Sequence, residues 1–132
     1  MKNSRGAMKT LVFLAIAGTI SVSTGWCWFE KSAPKDALNV NSVAADPGAY
    51  RGEIKVRGIV ARTSPARQTF VLIDIREYRG CGQLSCATKF VTVHSQEKEL
   101  PELKTDVVVS GEMAPSGPGY LLQAREVEIL NR

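Results

Sequence analysis

Residues 53–78 read EIKVRGIVARTSPARQTFVLIDIREY, and this stretch decides the fold. In its first part apolar side chains alternate with Lys55 and Arg57, which is the period of a strand with one buried face. Gly58 stands in the middle of that strand, where the backbone must bend or bulge. The second part is densely apolar, and Pro65 with its neighbours supplies a turn between the two parts. We predict a β-hairpin with strands over residues 53–62 and 69–78.

Three further apolar runs follow along the chain. Residues 88–95 alternate valines with polar side chains, residues 106–113 contain three consecutive valines, and residues 120–130 follow a Pro/Gly turn at 114–119. No stretch keeps a helical period long enough for a substantial helix, although residues 96–104 suit a short helical crossover. Three strands in a meander, a short helical crossover between strands 3 and 4 and a final hairpin are the layout of an all-β, five-stranded Greek-key OB-fold barrel. A small β-sandwich or roll is the alternative.

The first 29 residues have the three-part pattern of an export signal. Residues 1–9 are basic and polar, residues 11–22 carry no charge, and residues 23–25 are small, as a signal peptidase requires. An uncleaved anchor is the alternative, because the run 11–29 contains 19 residues and about 20 span a bilayer. Trp26 precedes Cys27, where lipid attachment needs a small residue, so no lipoprotein is predicted.

These features divide the chain and predict its location. We expect a signal peptide or membrane anchor helix over residues 1–29, a linker over 30–40 and an OB-fold domain over 41–132. The domain is expected to be exported, either periplasmic or anchored to the inner membrane and facing the periplasm. An uncleaved leader would bring the protein to the membrane through this N-terminal segment.

The positive charge of the chain lies partly in the leader. The formal net charge is +4, but Lys2, Arg5 and Lys9 precede the apolar run. Without them 14 basic residues face 13 acidic ones, so charge gives no general argument for a nucleic-acid partner. A local excess remains, since residues 51–79 carry seven basic side chains against three acidic ones.

Residues 42–52 end in a Tyr-x-Gly turn and lead into a strand that bends at Gly58. This opening resembles bacterial OB-fold proteins of the nucleic-acid-binding-like class. Residues 90–93, 100–103, 107–112 and 124–127 are similar in layout to the periplasmic haem chaperone of cytochrome c maturation. That resemblance implies fold and topology alone, because fold does not imply function. The haem chaperone bears its haem-attaching His after its last strand, whereas this sequence ends in residues 128–132 without one, so haem carriage by that route is not expected.

Cys81 and Cys86 lie in a glycine-containing loop between the second and third predicted strands. In an oxidising compartment two such cysteines can close a disulfide that staples the loop, which is our prediction. Two alternatives stay open: a metal or haem-iron site formed by both thiolates with His94 as a further ligand, and a redox-active pair. A structural zinc site usually needs four ligands, and a thiol oxidoreductase would show Cys-x-x-Cys beside a βαβ unit. No cofactor is expected outside the metal or haem alternative.

OB-fold barrels bind ligands on the face of their second and third strands, with aromatic side chains in a basic groove. The candidates for that face are Lys55, Arg57, Arg76, Tyr78, Lys89 and Phe90. An oligosaccharide or a nucleic acid could bind there, although export argues against nucleic acid. Asp74 lies in an apolar run and is expected to form an ion pair on the barrel surface with a base such as Arg57.

The sequence shows no Ser/His/Asp arrangement, no phosphate-binding glycine loop and no close carboxylate pair. We therefore do not expect an enzyme. The favoured function is a non-enzymatic binding or assembly module of the bacterial cell envelope, with a disulfide-stapled loop. Its expected partner is an envelope protein or a small ligand, and the sequence does not identify it.

Overall fold

The computed structural model describes residues 33–131, and the predicted leader and residues 30–32 of the predicted linker lie outside them. The strands in this part of the chain are β1 (Leu38–Asn39), β2 (Glu53–Ser64), β3 (Thr69–Ile73), β4 (Phe90–Ser95), β5 (Asp106–Ser116) and β6 (Gly119–Asn131). The α-helices are α1 (Val40–Ala45) and α2 (Ile75–Cys81), and single 3-10 turns lie at Pro47–Ala49, Pro65–Arg67 and Leu84–Cys86. Within residues 33–131 no helix has both the length and the apolar character needed to cross a bilayer.

Strands β2 to β6 close into a five-stranded barrel. Their order is β2-β3-β4-β6-β5, and β5 pairs back with β2. Neighbouring barrel strands are antiparallel except β4 and β6, which pair in parallel over residues 93–95 and 122–124. The final hairpin is thus inserted between the third and the first barrel strand, as in an OB fold. The prediction of an all-β, five-stranded barrel is confirmed.

Strand β2 reaches two neighbours because it changes partner along its length. It pairs with β5 up to Ile59, and from Ile59 onward it pairs with β3. The bulge in β2 lies between Val60 and Arg62, so it is not at Gly58. Gly58 instead permits a close approach of α1, because a Cβ there would lie 2.7 Å from Cγ2 of Val40.

The core consists of inward-facing side chains from every barrel strand together with α1. Strands with one buried face show this two-residue alternation, and branched side chains pack well on it. Burying a Val, Leu or Phe side chain contributes about 1.5–3 kcal/mol relative to exposure. The buried cluster comprises Val40, Val43, Val56, Val60, Phe70, Leu72, Val91, Val93, Val107, Val109, Leu122 and Ala124.

Helix α1 and strand β1 lie at the start of the described domain. Val40 and Val43 of α1 are fully buried in the core. Residues 38 and 39, which were predicted to end the linker, pair in parallel with Val56 and Arg57. The last residues of the predicted linker are therefore packed on the barrel.

The prediction of a helical crossover between the third and fourth barrel strands is wrong. Residues 96–105 contain no helix. Their backbone bonds to β2 instead: the Lys104 N–H donates to the Val60 carbonyl oxygen at 2.8 Å, and the Val60 N–H donates to the Thr105 carbonyl oxygen at 3.0 Å. Pro101 is buried in this segment and has no N–H to donate to a helix. The short helices lie elsewhere, α1 before the barrel and α2 between β3 and β4.

An ion pair joins β2 to β5. Arg57 donates from Nε to Oδ1 of Asp106 at 3.1 Å and from a terminal guanidinium nitrogen to Oδ2 at 2.7 Å. The side-chain hydrogen bond to Asp106 raises the pKa of Arg57 above its ordinary value, burial opposes this, and the charge of Asp106 adds to it. The expected ion pair of Asp74 with a base is present, but its partner is Arg76 and not Arg57, and Asp74 is buried instead of lying on the barrel surface.

Candidate binding cleft and the disulfide-closed loop

Strand β3 ends earlier than predicted because Asp74 caps a helix. The predicted strand over residues 69–78 stops at Ile73, and Oδ1 of Asp74 accepts a hydrogen bond from the Arg76 backbone N–H at 2.9 Å. An acceptor at this position satisfies one of the backbone N–H groups left free at a helix start. Asp74 is 1% exposed and also pairs with Nε of Arg76 at 3.4 Å. Residues 75–81 are therefore helical.

Helix α2 leads directly into a loop that a disulfide closes. The helix ends at Cys81, and the N–H of Gly82 donates to the Tyr78 carbonyl oxygen at 2.7 Å. Gly82 has a φ of 77°, a left-handed conformation that favours glycine after a helix. A disulfide joins Cys81 to Cys86, whose Cα atoms lie 6.4 Å apart. The predicted disulfide is confirmed, and both cysteines are exposed.

The Glu77 carboxylate holds the helix and the end of the loop against the rest of the domain. Its Oε1 accepts a hydrogen bond from Nδ2 of Asn41 in α1 at 2.8 Å, and its Oε2 accepts one from the Thr88 N–H at 3.3 Å. Thr88 lies between the disulfide and β4. The loop is thus restrained at both of its ends and by its own covalent ring.

A cleft of about 510 Å³ lies between this loop and the outer surface of the barrel, and we call it the loop cleft. Strands β2, β3 and β4 form one wall, where Ile73 and Phe90 are cross-strand partners. The disulfide-closed loop and the residue after it form the other wall. The volume is within the range of small-molecule sites. The lining residues are Ala61, Arg62, Val71, Ile73, Leu84, Ser85, Ala87 and Phe90.

The apolar wall arises because β3 is apolar on both of its faces. Phe70 and Leu72 are buried in the core, so Val71 and Ile73 face outward. Ile73 is still only 3% exposed, whereas Phe90 is 59% exposed at the cleft. A strand with an unbroken apolar run indicates that both of its faces are covered. The unbroken apolar run of β3 could therefore have predicted that a further segment of the chain packs on the outer face of this strand.

Arg62 carries the charge of the loop cleft. The other described residues that line the cleft are uncharged. Its side chain is exposed and forms no ion pair or hydrogen bond within residues 33–131. The two acidic residues of the adjoining segment are engaged elsewhere, Asp74 with Arg76 and Glu77 with its hydrogen-bond donors. No carboxylate among the described residues neutralises Arg62.

Two of the six predicted binding residues lie at or beside the loop cleft. Phe90 lines it, and Lys89 is exposed and directly precedes Phe90. Arg76 and Tyr78 are carried by α2 instead of a strand. Tyr78 lines a separate pocket of about 170 Å³.

The other two predicted residues lie in the half of β2 that pairs with β5. Nζ of Lys55 pairs with Asp36 at 3.4 Å, and Arg57 is held by Asp106. The structure therefore does not gather the six predicted residues on one face. Arg62, which the sequence did not single out, is the basic residue of the cleft.

The cysteines and His94 do not form a common site. The Cys81 and Cys86 sulfurs are bonded to each other, and His94 lies in the far half of β4, opposite Thr69. His94 is half-buried and alternates with the buried Val91 and Val93. Within residues 33–131 no group of three or more His, Cys, Asp or Glu side chains is placed to hold a metal ion.

A second cleft, of about 220 Å³, lies between the crossover and β6. Three of its lining residues are glutamates, so its rim is acidic, in contrast to the loop cleft. Its lining residues are Glu97, Glu99, Leu100, Pro101, Glu102, Thr105, Val127 and Ile129.

The fold and the site together define a small OB-fold barrel with a disulfide-closed loop packed over its outer face. No family model matches the chain, and no curated protein matches it. Among solved structures, OBody AM3L15 bound to hen egg-white lysozyme is similar with a TM-score of 0.52 and 18% identity, over 76% of this chain and 99% of that chain. OBody AM1L10 and OBody AM3L09, bound to the same protein, have TM-scores of 0.51 and 0.52, identities of 18% and 17% and the same coverage. This likeness shows the barrel fold alone, and no relative supports the resemblance to the haem chaperone.

Proposed function

We propose that the protein is a non-enzymatic binding module of the bacterial cell envelope and that the loop cleft is its binding site. The observation that carries the proposal is the position of the cleft on the outer face of β2, β3 and β4. This is the region where OB-fold barrels commonly bind their ligands. The ring of Phe90 adds to it, because ligand pockets are lined mainly by apolar and aromatic side chains.

The construction of the loop cleft supports binding by a preformed site. Its strand wall belongs to the barrel, and its loop wall is restrained by a disulfide and by the hydrogen bonds of Glu77. A site that is already in place loses less conformational entropy when a ligand binds. The OBody structures named above are barrels of this type bound to a protein, which supports binding as a use of the fold.

Location in the envelope is proposed from the leader pattern, and the disulfide is compatible with it because disulfides persist in oxidising compartments. The test is fractionation of cells that express the full chain, followed by intact-mass measurement of the protein. A periplasmic protein that has lost about 25 residues would indicate a cleaved signal peptide, and a full-length membrane-bound protein would indicate an anchor. Full-length protein in the cytosol would contradict export.

The alternative functions have weaker support. A polyanion or glycan surface would need several basic and aromatic residues on one face, and Lys55 and Arg57 lie away from Phe90. A metal or haem site would use the free thiolates of Cys81 and Cys86, which the disulfide engages, and a redox function would need this disulfide to be readily reduced and re-formed. Free-thiol titration and metal analysis of purified protein test these alternatives, because bound metal or a readily cycling thiol pair would favour them.

The binding site is tested with N-phenyl-1-naphthylamine, an uncharged dye whose fluorescence rises in apolar surroundings. We expect the protein to bind this dye and the Phe90→Ala variant to bind it about five- to tenfold more weakly, since a partly buried aromatic contact contributes about 1 kcal/mol or more. Tyr120→Ala is the matched control, because Tyr120 is also an exposed aromatic, at 45%, but does not line the loop cleft. Absence of dye binding, or equal weakening in both variants, would contradict the proposed site.

A further inference from the structure

We infer that the ligand of the loop cleft is a small amphipathic anion, in which an apolar or aromatic body enters the cleft and a carboxylate, phosphate or sulfate group pairs with Arg62. This inference rests on the proposed binding function and specifies its ligand class.

The apolar part of the ligand follows from the lining of the cleft. Six of the eight lining side chains are apolar, and Arg62 and Ser85 are the two polar ones. A polar body would lose part of its hydration against these apolar side chains, whereas an apolar body gains from leaving water. The volume of about 510 Å³ accommodates a small molecule, whereas a folded partner would need a much larger surface.

The anionic part follows from the unpaired charge of Arg62. Its guanidinium has no partner within residues 33–131, and no lining residue is acidic. Arginine presents a planar set of N–H donors that matches the oxygens of carboxylate, phosphate and sulfate groups. Ser85 contributes a hydroxyl from the loop wall, which can donate one further hydrogen bond. A cationic ligand would meet repulsion and no compensating carboxylate.

The local electrostatics extend this preference beyond Arg62. Lys89, which directly precedes Phe90, is exposed and has no ion-pair partner among the described residues, whereas Asp74 is paired with Arg76. Lys89 therefore adds a second positive charge beside the cleft. One arginine in a cleft is too little for a membrane surface, where each basic residue adds about 1 kcal/mol and several act together. A small free anion fits better than a lipid headgroup in a bilayer.

Two dyes that share one ring system separate the apolar and the anionic parts of the inference. N-phenyl-1-naphthylamine is uncharged, and 8-anilinonaphthalene-1-sulfonate adds a single sulfonate to the same rings. We expect Arg62→Gln to weaken binding of the sulfonate dye about three- to fivefold, the upper part of the range for an exposed ionic contact. Binding of the uncharged dye should change less than about twofold, which lies within the range of a surface substitution. Added salt should weaken binding of the sulfonate dye and leave binding of the uncharged dye unchanged.

Arg67→Gln is the matched control. Arg67 is an exposed arginine in the turn between β2 and β3, it has no partner among the described residues, and it does not line the cleft. Both dyes should bind this variant as they bind the natural protein. An equal effect of Arg67→Gln on the sulfonate dye would show a diffuse attraction of anions and would overturn the assignment to Arg62.

The other outcomes are also decisive. Loss of both dyes in Arg62→Gln would mean that Arg62 supports the structure of the cleft, and an unchanged affinity for the sulfonate dye would mean that it binds no anion; either overturns the inference. Failure of the natural protein to bind the uncharged dye would instead contradict the proposed function itself. The protein can also be floated with phosphatidylglycerol vesicles. If it floats with them, and Arg62→Gln abolishes flotation but not dye binding, the ligand of Arg62 is a membrane surface and the small-anion inference is overturned.

Discussion

Replacing both loop cysteines with serine tests whether the disulfide stabilises the domain through its short ring alone. The bond between Cys81 and Cys86 closes a ring with a sequence separation of five residues. For a ring of this size the loss of unfolded-state entropy corresponds to about 2 kcal/mol at 25 °C. Little native-state energy should be lost in addition, because both cysteines are exposed and no residue of the loop belongs to the buried core.

The expected result is therefore a free energy of unfolding lower by about 2 kcal/mol. Its dependence on urea concentration should change little, because so short a ring restricts little of the surface that unfolding exposes. Urea unfolding followed by far-UV circular dichroism measures both quantities. The natural protein treated with dithiothreitol should reproduce the variant. Binding of the uncharged dye should also weaken, because Leu84 in the loop wall is then held less firmly.

Two results would refute this reasoning. A loss of roughly twice the expected size, or a failure to fold, would show that the loop is part of the cooperative core. Unchanged stability together with unchanged dye affinity would show that the ring does not restrain the loop wall. A Gln83→Ala variant serves as a control, because it leaves the disulfide intact and changes an exposed side chain of the loop that does not line the cleft.

Two further substitutions test the barrel. Gly111→Ala should lower the free energy of unfolding by about 3 kcal/mol, because a Cβ there would clash with the Gln123 carbonyl oxygen and lie 2.8 Å from its carbon. Gly119→Ala in the same hairpin meets nothing within 4 Å and should change stability by less than about 0.5 kcal/mol, so similar losses in urea unfolding would contradict the packing argument. Asp106→Asn should cost about 1–3 kcal/mol, because the guanidinium of Arg57 then loses its charged acceptor.

The control for the ion pair is Glu112→Gln. This substitution removes an exposed contact with Arg125 at 3.4 Å, and exposed pairs contribute about 0–1 kcal/mol. Equal losses for Asp106→Asn and Glu112→Gln would mean that burial does not strengthen the pair of Arg57.

The five barrel strands could be predicted because each has a face that must be buried. Residues 53–62, 88–95, 106–113 and 120–130 showed the runs that became β2, β4, β5 and β6. The remaining run, residues 69–78, was predicted as one strand, but strand β3 ends at Ile73. The continuation Ile75 to Tyr78 is apolar enough for a strand, and the local hydrogen bond from the Arg76 N–H to Asp74 decided for a helix. The hydropathy pattern does not show whether an aspartate such as Asp74 continues a strand or caps a helix.

The candidate site was predicted less well than the fold. Cys81 and Cys86 were predicted to form the disulfide that the structure shows. Phe90 was predicted for a binding face formed with other residues, and it lies at the loop cleft. Arg62 was not singled out, since one exposed arginine among many carries no pattern. Its place at the cleft depends on where the loop between β3 and β4 packs, and that packing joins residues distant in sequence.

By itself the sequence determined which side chains must leave water and which two cysteines could pair, because hydropathy period and residue spacing are local properties. Only the tertiary structure decided that α1 closes on Gly58, that Arg57 pairs with Asp106 and that the loop covers Val71 and Ile73 to form a cleft. The physical reason is that burial is specified residue by residue, whereas the partner that provides it is selected by the closure of the whole barrel.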